Sequence, residues 1–301
     1  VAAALFLALC VATGASAAMR PVVLLHGLMA NYEAMSHIKG WLEQDFPGIY
    51  VHNSEIPKPY SPDGRINSVL IPMDKQAELL NAQIEADGNL TDGFDLVCHS
   101  QGGLTCRAYI EKYGGSKVHN FVSLAGPHQG VYGVPIYNGE CPDWKCPELA
   151  ELMAKWAAEG WNVTFAQYWK DPFNYARYLA TNDYLTAINN ERADSQNATY
   201  KRNLVGIGGN LTLVMATEDH IVVPKESAWF DFYAVGQDKT IVDMTETDGY
   251  KGDWIGLKTL NEAGRLQRLA AKCTHQDLPR EQCKSVVYDA IIKPRVGGQL
   301  P

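Results

Sequence analysis

The sequence predicts an α/β fold in a single domain: a mostly parallel central sheet with helices on both faces and an inserted helical cap. Three observations lead there. A short, wholly apolar run at 21–25 and mainly apolar runs at 94–98 and 211–216 suit strands that are covered on both faces. Helical periodicity fills the intervals between such runs, the alternation expected of a parallel sheet with crossover helices. A chain of 301 residues that is 46% hydrophobic can also bury one sizeable core.

Residues 1–18 run Ala/Leu/Val-rich into Ala15-Ser16-Ala17, the small-residue pattern of a signal-peptidase site, and read as an N-terminally incomplete export signal ahead of one domain over 19–301. A membrane anchor fits less well, because Thr13, Gly14 and Ser16 interrupt the apolar run short of a bilayer span, and no later stretch could span one. The first strand, 21–25, ends in His26-Gly27. A helix with Ile38, Trp41 and Leu42 on one face follows, then a strand at 49–52 and a helix at 72–84. The strand at 94–98 runs directly into His99-Ser100-Gln101-Gly102-Gly103, and a helix at 104–113 leads to a strand at 118–124.

From about 127 to 203 the alternation lapses, and the segment carries Trp144, Trp156, Trp161 and Trp169 among many tyrosines and phenylalanines. It reads as the cap. Most of these aromatics are expected to fill its own small core. Trp169, Tyr168 and Phe165 are expected to wall a greasy substrate groove, with His128 edging the site. The sheet pattern resumes at 211–216 and ends in Thr217-Glu218-Asp219, followed by a helix near Ser227 and a strand at 240–243. Helical periodicity through Leu257, Leu260, Leu266 and Leu269 leads to Cys273-Thr274-His275, and an amphipathic helix at 286–292 closes the domain.

With 34 acidic and 26 scattered basic residues, the formal charge of -8 offers no footprint for a phosphate backbone, so nucleic acid is not an expected partner. Export implies an oxidising compartment. Without Cys10, six cysteines remain in three close pairs, Cys98 with Cys106, Cys141 with Cys146 and Cys273 with Cys283, and neighbour pairing into disulfides is the expectation. Zinc is the rival, but no CxxC doublet or His pair accompanies them, and no metal or cofactor is called for. Sequons open at Asn89, Asn162, Asn197 and Asn210, candidate glycosylation sites in a secretory chain.

The chemistry centres on Ser100. A strand, a tight turn holding a serine and a helix force that serine outward at the carboxyl edge of a sheet, as in the α/β-hydrolase fold. Here the turn is Cys98-His99-Ser100-Gln101-Gly102, and Cys98 departs from the usual glycine at its first position. A serine hydroxyl needs a base, and on this fold an acid and then a histidine follow the serine in sequence. His26, His37 and His52 precede Ser100, His99 adjoins it, His119 starts a strand, no strand-end acid separates His128 from Ser100, and His220 abuts a candidate acid. His275 remains, in a loop before the last helix. Asp219, just past the strand at 211–216, is the expected acid, with Glu218 as runner-up and Asp243 as a solvated strand end. The oxyanion is expected to rest on the backbone N–H groups of Gln101 and Leu28.

Further runs carry a family resemblance: 23–28 (Val23-Leu24-Leu25-His26-Gly27-Leu28), Pro47-Gly48-Ile49-Tyr50-Val51, Ser100-Gln101-Gly102-Gly103, 128–133 (from His128 to Gly133), Tyr168-Trp169-Lys170-Asp171-Pro172, 188–192, 229–233 and 256–260. With these the chain resembles, over about 22–292, the palmitoyl-protein thioesterases, lysosomal enzymes that remove long acyl groups from cysteine thiols. The resemblance implies Ser100 as nucleophile, Asp219 as acid, His275 as base, a fatty-acylated protein or acyl-CoA as substrate, and lysosomal delivery or secretion. The cysteines 98, 106, 273 and 283 look like one family branch and 49–51 like the other. A lipase or carboxylesterase acting on oxygen esters would use the same three residues, and a non-catalytic acyl-binding relative would lack one of them.

Overall fold

The computed structural model describes residues 19–56, 64–133, 155, 163–194 and 196–299. The expected export signal, Cys141, Cys146, Asn162 and the tryptophans at 144, 156 and 161 lie outside the described residues.

The described strands are β1 (Val22–Leu25), β2 (Val51–Ser54), β3 (Phe94–His99), β4 (Val118–Leu124), β5 (Leu211–Ala216), β6 (Phe232–Tyr233), β7 (Ile241–Val242) and β8 (Leu266–Ala271). Six of them form one all-parallel sheet in the order β2-β1-β3-β4-β5-β8, the open α/β architecture of an α/β-hydrolase. β1, β3 and β5 are buried along their whole length, which is why they read as mainly apolar runs, interrupted in β3 by Asp95 and His99 and in β5 by Thr212. Alternate residues feed opposite faces. Val23, Leu25, Leu96, Phe121 and Leu213 join one core, and Val22, Leu24, Val97, Val122 and Val214 join the other.

Helices cover both faces. α1 (Ser36–Asp45) buries Ile38, Trp41 and Leu42 beside Val287, Tyr288 and Ile291 of the closing helix, Lys284–Ile292. On the other face lie α3 (Met73–Ala86) and α4 (Gln101–Tyr113), preceded by the single-turn α2 (Asn67–Leu70). Each fully buried aliphatic or aromatic side chain contributes roughly 1.5–3 kcal/mol. An exposed pair such as Lys39–Glu43 adds about 0–1 kcal/mol, so the two cores hold the sheet.

Several elements differ from expectation. The strand expected at 49–52 starts at Val51, because Gly48 turns the chain at φ 91° and the Ile49 N–H is still bonded to Phe46 O. The helix expected from 104 begins at Gln101. Leu266 and Leu269 are not helical: the helix stops at Leu257–Glu262, Gly264 reverses the chain at φ 69°, and β8 pairs with β5. The strand expected at 240–243 shortens to β7 and pairs with β6 in a separate antiparallel ribbon. Near Ser227 the helix is a 3-10 turn, Lys225–Trp229.

Within the segment expected as a cap, short helices span Thr164–Gln167, Tyr175–Thr181 and Leu185–Ile188. Tyr168, Trp169, Tyr178, Tyr184 and Ile188 pack there against Met73, Leu104 and Ala108 of α3 and α4. The last helix of the segment, Ala198–Val205, instead buries Leu204 in the core of the sheet.

Candidate active site

Ser100 stands between β3 and α4 at φ 56° and ψ -131°, a conformation that non-glycine residues rarely adopt and that the surrounding structure has to enforce. Its N–H is bonded to Leu124 O and its carbonyl accepts from Gly103 N–H, both at 2.8 Å. α4 can begin immediately because Gly102 lies against β1: a Cβ there would meet His26 O at 2.4 Å. At Gly27 a Cβ would come within 2.6 Å of Ser100 Cβ, so only glycine lets that loop sit beside the serine. Cys98, at the position where glycine was expected, is joined by a disulfide to Cys106 of α4 and is wholly buried, so strand and helix are linked covalently behind the turn.

The structure brings together the three side chains singled out in the sequence. His275 Nε2 lies 2.8 Å from Ser100 Oγ, and His275 Nδ1 lies 2.7 Å from Asp219 Oδ2. All three residues are buried, with exposures of 8% for Ser100 and 5% for both Asp219 and His275. Burial pushes the Asp219 carboxyl up, but the adjacent His275 imidazole and the N–H groups of Ile221 and Val222 on its Oδ1 outweigh this and hold its pKa below the usual carboxylate value. Glu218 and His220 point into solvent, and Asp243 pairs with Arg268 and caps a 3-10 turn.

Three restraints fix the His275 loop. Cys273 is disulfide-bonded to Cys283, Cys273 O accepts from Glu218 N–H at 3.0 Å, and His275 O accepts from His99 Nε2 at 2.9 Å. His99 went unassigned in the sequence, although the strand alternation that points Val97 toward the core containing Cys273 points His99 the same way. Burial keeps its imidazole neutral and lowers its pKa to about 3.

Beside Ser100, the Gln101 N–H opens α4 and so has no intrahelical acceptor. No acceptor among the described residues takes the Leu28 N–H. The residues expected at a substrate wall lie mostly in the interior. Trp169 and Tyr168 are each 5% exposed, Phe165 packs on the same cluster, and the Tyr168 hydroxyl donates to Gln101 Oε1 at 3.0 Å. His128, expected to edge the site, is wholly buried instead: its Nε2 meets Ser123 Oγ at 2.9 Å and its ring stacks on Phe230, contacts that leave it no face toward a groove. A cavity of about 180 Å³ between Lys170, Glu191 and the β6–β7 ribbon is bordered by none of these residues. Asn89 and Asn197 are exposed and Asn210 is half-buried. No described helix is long and apolar enough to cross a membrane.

Comparison with known proteins adds three findings. The model of the family described as palmitoyl protein thioesterase matches residues 21–275. The chain is 37% identical over 281 residues to palmitoyl-protein thioesterase 3 of Dictyostelium discoideum, covering 93% of each. It is 36% identical to palmitoyl-protein thioesterase 1 of Caenorhabditis elegans, covering 91% of this chain and 90% of the relative, and 30% identical to lysosomal thioesterase PPT2 of Rattus norvegicus, covering 91% and 87%.

Proposed function

Because the chain belongs to the palmitoyl protein thioesterase family and is a hydrolase, we propose that it cleaves long-chain fatty-acyl thioesters through an acyl-enzyme formed on Ser100. The observation that carries this reading is the unbroken hydrogen-bonded line from Asp219 through His275 to Ser100.

In this mechanism Ser100 Oγ attacks the thioester carbonyl carbon while its proton passes to His275 Nε2. Asp219 keeps the other ring nitrogen protonated and stabilises the imidazolium. The carbonyl oxygen becomes an oxyanion held by the Leu28 and Gln101 N–H groups. The C–S bond then breaks; a thiol of pKa ~8.5 leaves readily as thiolate and can collect the proton from His275. Water, deprotonated by His275, attacks the acyl-serine ester and releases the fatty acid and free Ser100. Fatty-acylated protein and acyl-CoA both present the required thioester. Two buried disulfides and relatives named as lysosomal support a compartment on the secretory route.

The test compares wild type with Ser100→Ala on palmitoyl-CoA, a palmitoylated peptide and the matching oxygen ester. Loss of all turnover in a folded variant, with thioester preferred over oxygen ester by wild type, is the expected result. Full activity in Ser100→Ala removes Ser100 from the mechanism, and preference for the oxygen ester makes the enzyme a carboxylesterase.

A further inference from the structure

Ser68 lies on α2, more than thirty residues before the serine turn, and is 1% exposed. Its hydroxyl donates to Arg65 O at 2.7 Å, which commits its only proton, and its oxygen accepts the Met29 N–H at 2.8 Å. Met29 follows Leu28 directly and is held at φ 55°, a strained value for a methionine. The backbone carbonyl of Ser68 accepts from Gln101 Nε2 at 2.7 Å, Gln76 Nε2 at 3.0 Å and Thr164 Oγ1 at 3.0 Å. Gln101 in turn accepts the Tyr168 hydroxyl on Oε1 and donates to Gln76 Oε1.

Two loops thus converge on one residue. The loop carrying the Leu28 N–H hangs on the Ser68 hydroxyl, and the residue carrying the second N–H, Gln101, hangs by its side chain on the Ser68 carbonyl. Donors aimed at an oxyanion are effective only when fixed before the reaction, because a donor that swings into place loses the advantage of preorganisation. Desolvated hydrogen bonds of this kind are costly to break, which makes the network stiff.

We propose that Ser68 is a positioning residue for hydrolysis: it sets the aim of both oxyanion-binding amides and couples them to Tyr168 and Thr164 of the 127–203 segment. The proposal rests on the reading of Ser100 as nucleophile. Through Tyr168 and Gln101 the packing of that segment then bears on the oxyanion site.

The full chain carries the test, with wild type, Ser68→Ala, Tyr168→Phe and the double variant. Active sites are counted with a fluorophosphonate, palmitoyl-CoA hydrolysis is measured per counted site, and affinity is measured for palmityl trifluoromethyl ketone, whose serine adduct bears an oxyanion, and for palmitate. For Ser68→Ala, which frees the Met29 N–H but keeps the backbone carbonyl that holds Gln101, kcat is expected to fall by about tenfold to a hundredfold with KM within about twofold, through the Leu28 amide. The ketone should weaken by the same factor while palmitate binding holds. Tyr168→Phe should fall several-fold through Gln101, and the double variant by less than the product of the two, because the Leu28 and Gln101 amides bind one and the same oxyanion. Unchanged kcat per site in Ser68→Ala, or equal weakening of ketone and palmitate, overturns the positioning role. A wild-type enzyme that ignores the fluorophosphonate while Ser100→Ala stays active overturns the nucleophile assignment itself, a separate and recognisable result.

Discussion

The imidazole of His99 donates to the backbone carbonyl of His275 at 2.9 Å, so the strand that presents Ser100 also holds the loop that presents the His275 imidazole. The two rings lie 4.9 Å apart. The proposed nucleophile, Ser100, and the proposed base, His275, are therefore positioned from one element.

Replacing His99 should act on both rate and pH response. The folded state keeps His99 neutral, with a pKa of about 3 against 6.5 for the free group, so the unfolded chain binds the extra proton between those values. Stability from this residue is complete above about pH 6.5 and is lost as pH falls toward 3. His99→Phe should lower kcat/KM by about tenfold, and its melting temperature should drop less than that of wild type between pH 7.5 and 5.0, as scanning calorimetry at the two pH values would read.

Asp219→Asn leaves an acceptor for the Ile221 and Val222 N–H groups but presents His275 with an amide in place of a carboxylate. The wrong ring tautomer and an unsupported imidazolium should reduce kcat by about a thousandfold or more, with a melting temperature close to that of wild type. Pre-steady-state acylation on a chromogenic acyl thioester would show the loss in the first chemical step.

Glu111 responds to acid in the opposite sense. Burial raises its pKa from 4.5 to about 7, against the pull of Arg107 at 3.0 Å, so the folded state holds a proton that the unfolded chain has released. Its contribution to stability therefore grows as pH falls from about 7 toward 4.5. Glu111→Gln lacks that gain, and its melting temperature should fall further than that of wild type over the same interval. Arg107 also bonds Ile188 O, His128 O and Asn189 Oδ1 from a wholly buried position. Arg107→Leu should cost about 3–5 kcal/mol at pH 7.5, measured by urea titration.

The double variant Cys98→Ala, Cys106→Ala should lose about 2–3 kcal/mol, given a loop of 8 residues. Disulfide mapping of the intact protein under non-reducing conditions should return Cys98 with Cys106 and Cys273 with Cys283.

How far the sequence could be read depended on whether a signal was local. β3 and β5 were legible because burial on both faces favours mainly apolar runs, and Ser100 because its turn is continuous in sequence. β8 was not: it lies at the sheet edge with only Leu266 and Ala271 buried, so it lacks period-two alternation. Leucines at 257, 260, 266 and 269 then mimicked a helical stripe across the break at Gly264. Asp219 and His275 could be named from chain order, whereas Ser68 could not, since it meets Met29 and Gln101 across separations of 39 and 33 residues and belongs to no motif. His128 was drawn toward the site by its place after a strand, and its stacking on Phe230 comes from a segment about a hundred residues away.

The bond between Cys98 and Cys106 has a bearing on how the protein must be made. With neither sulfur reachable by solvent once the sheet has closed, an oxidant has to act on the nascent polypeptide while that region is still open. Whether a cell or an expression host delivers the cross-linked form is thus decided during biogenesis, and a reducing cytosol would yield molecules carrying two trapped thiols beneath the turn that holds Ser100.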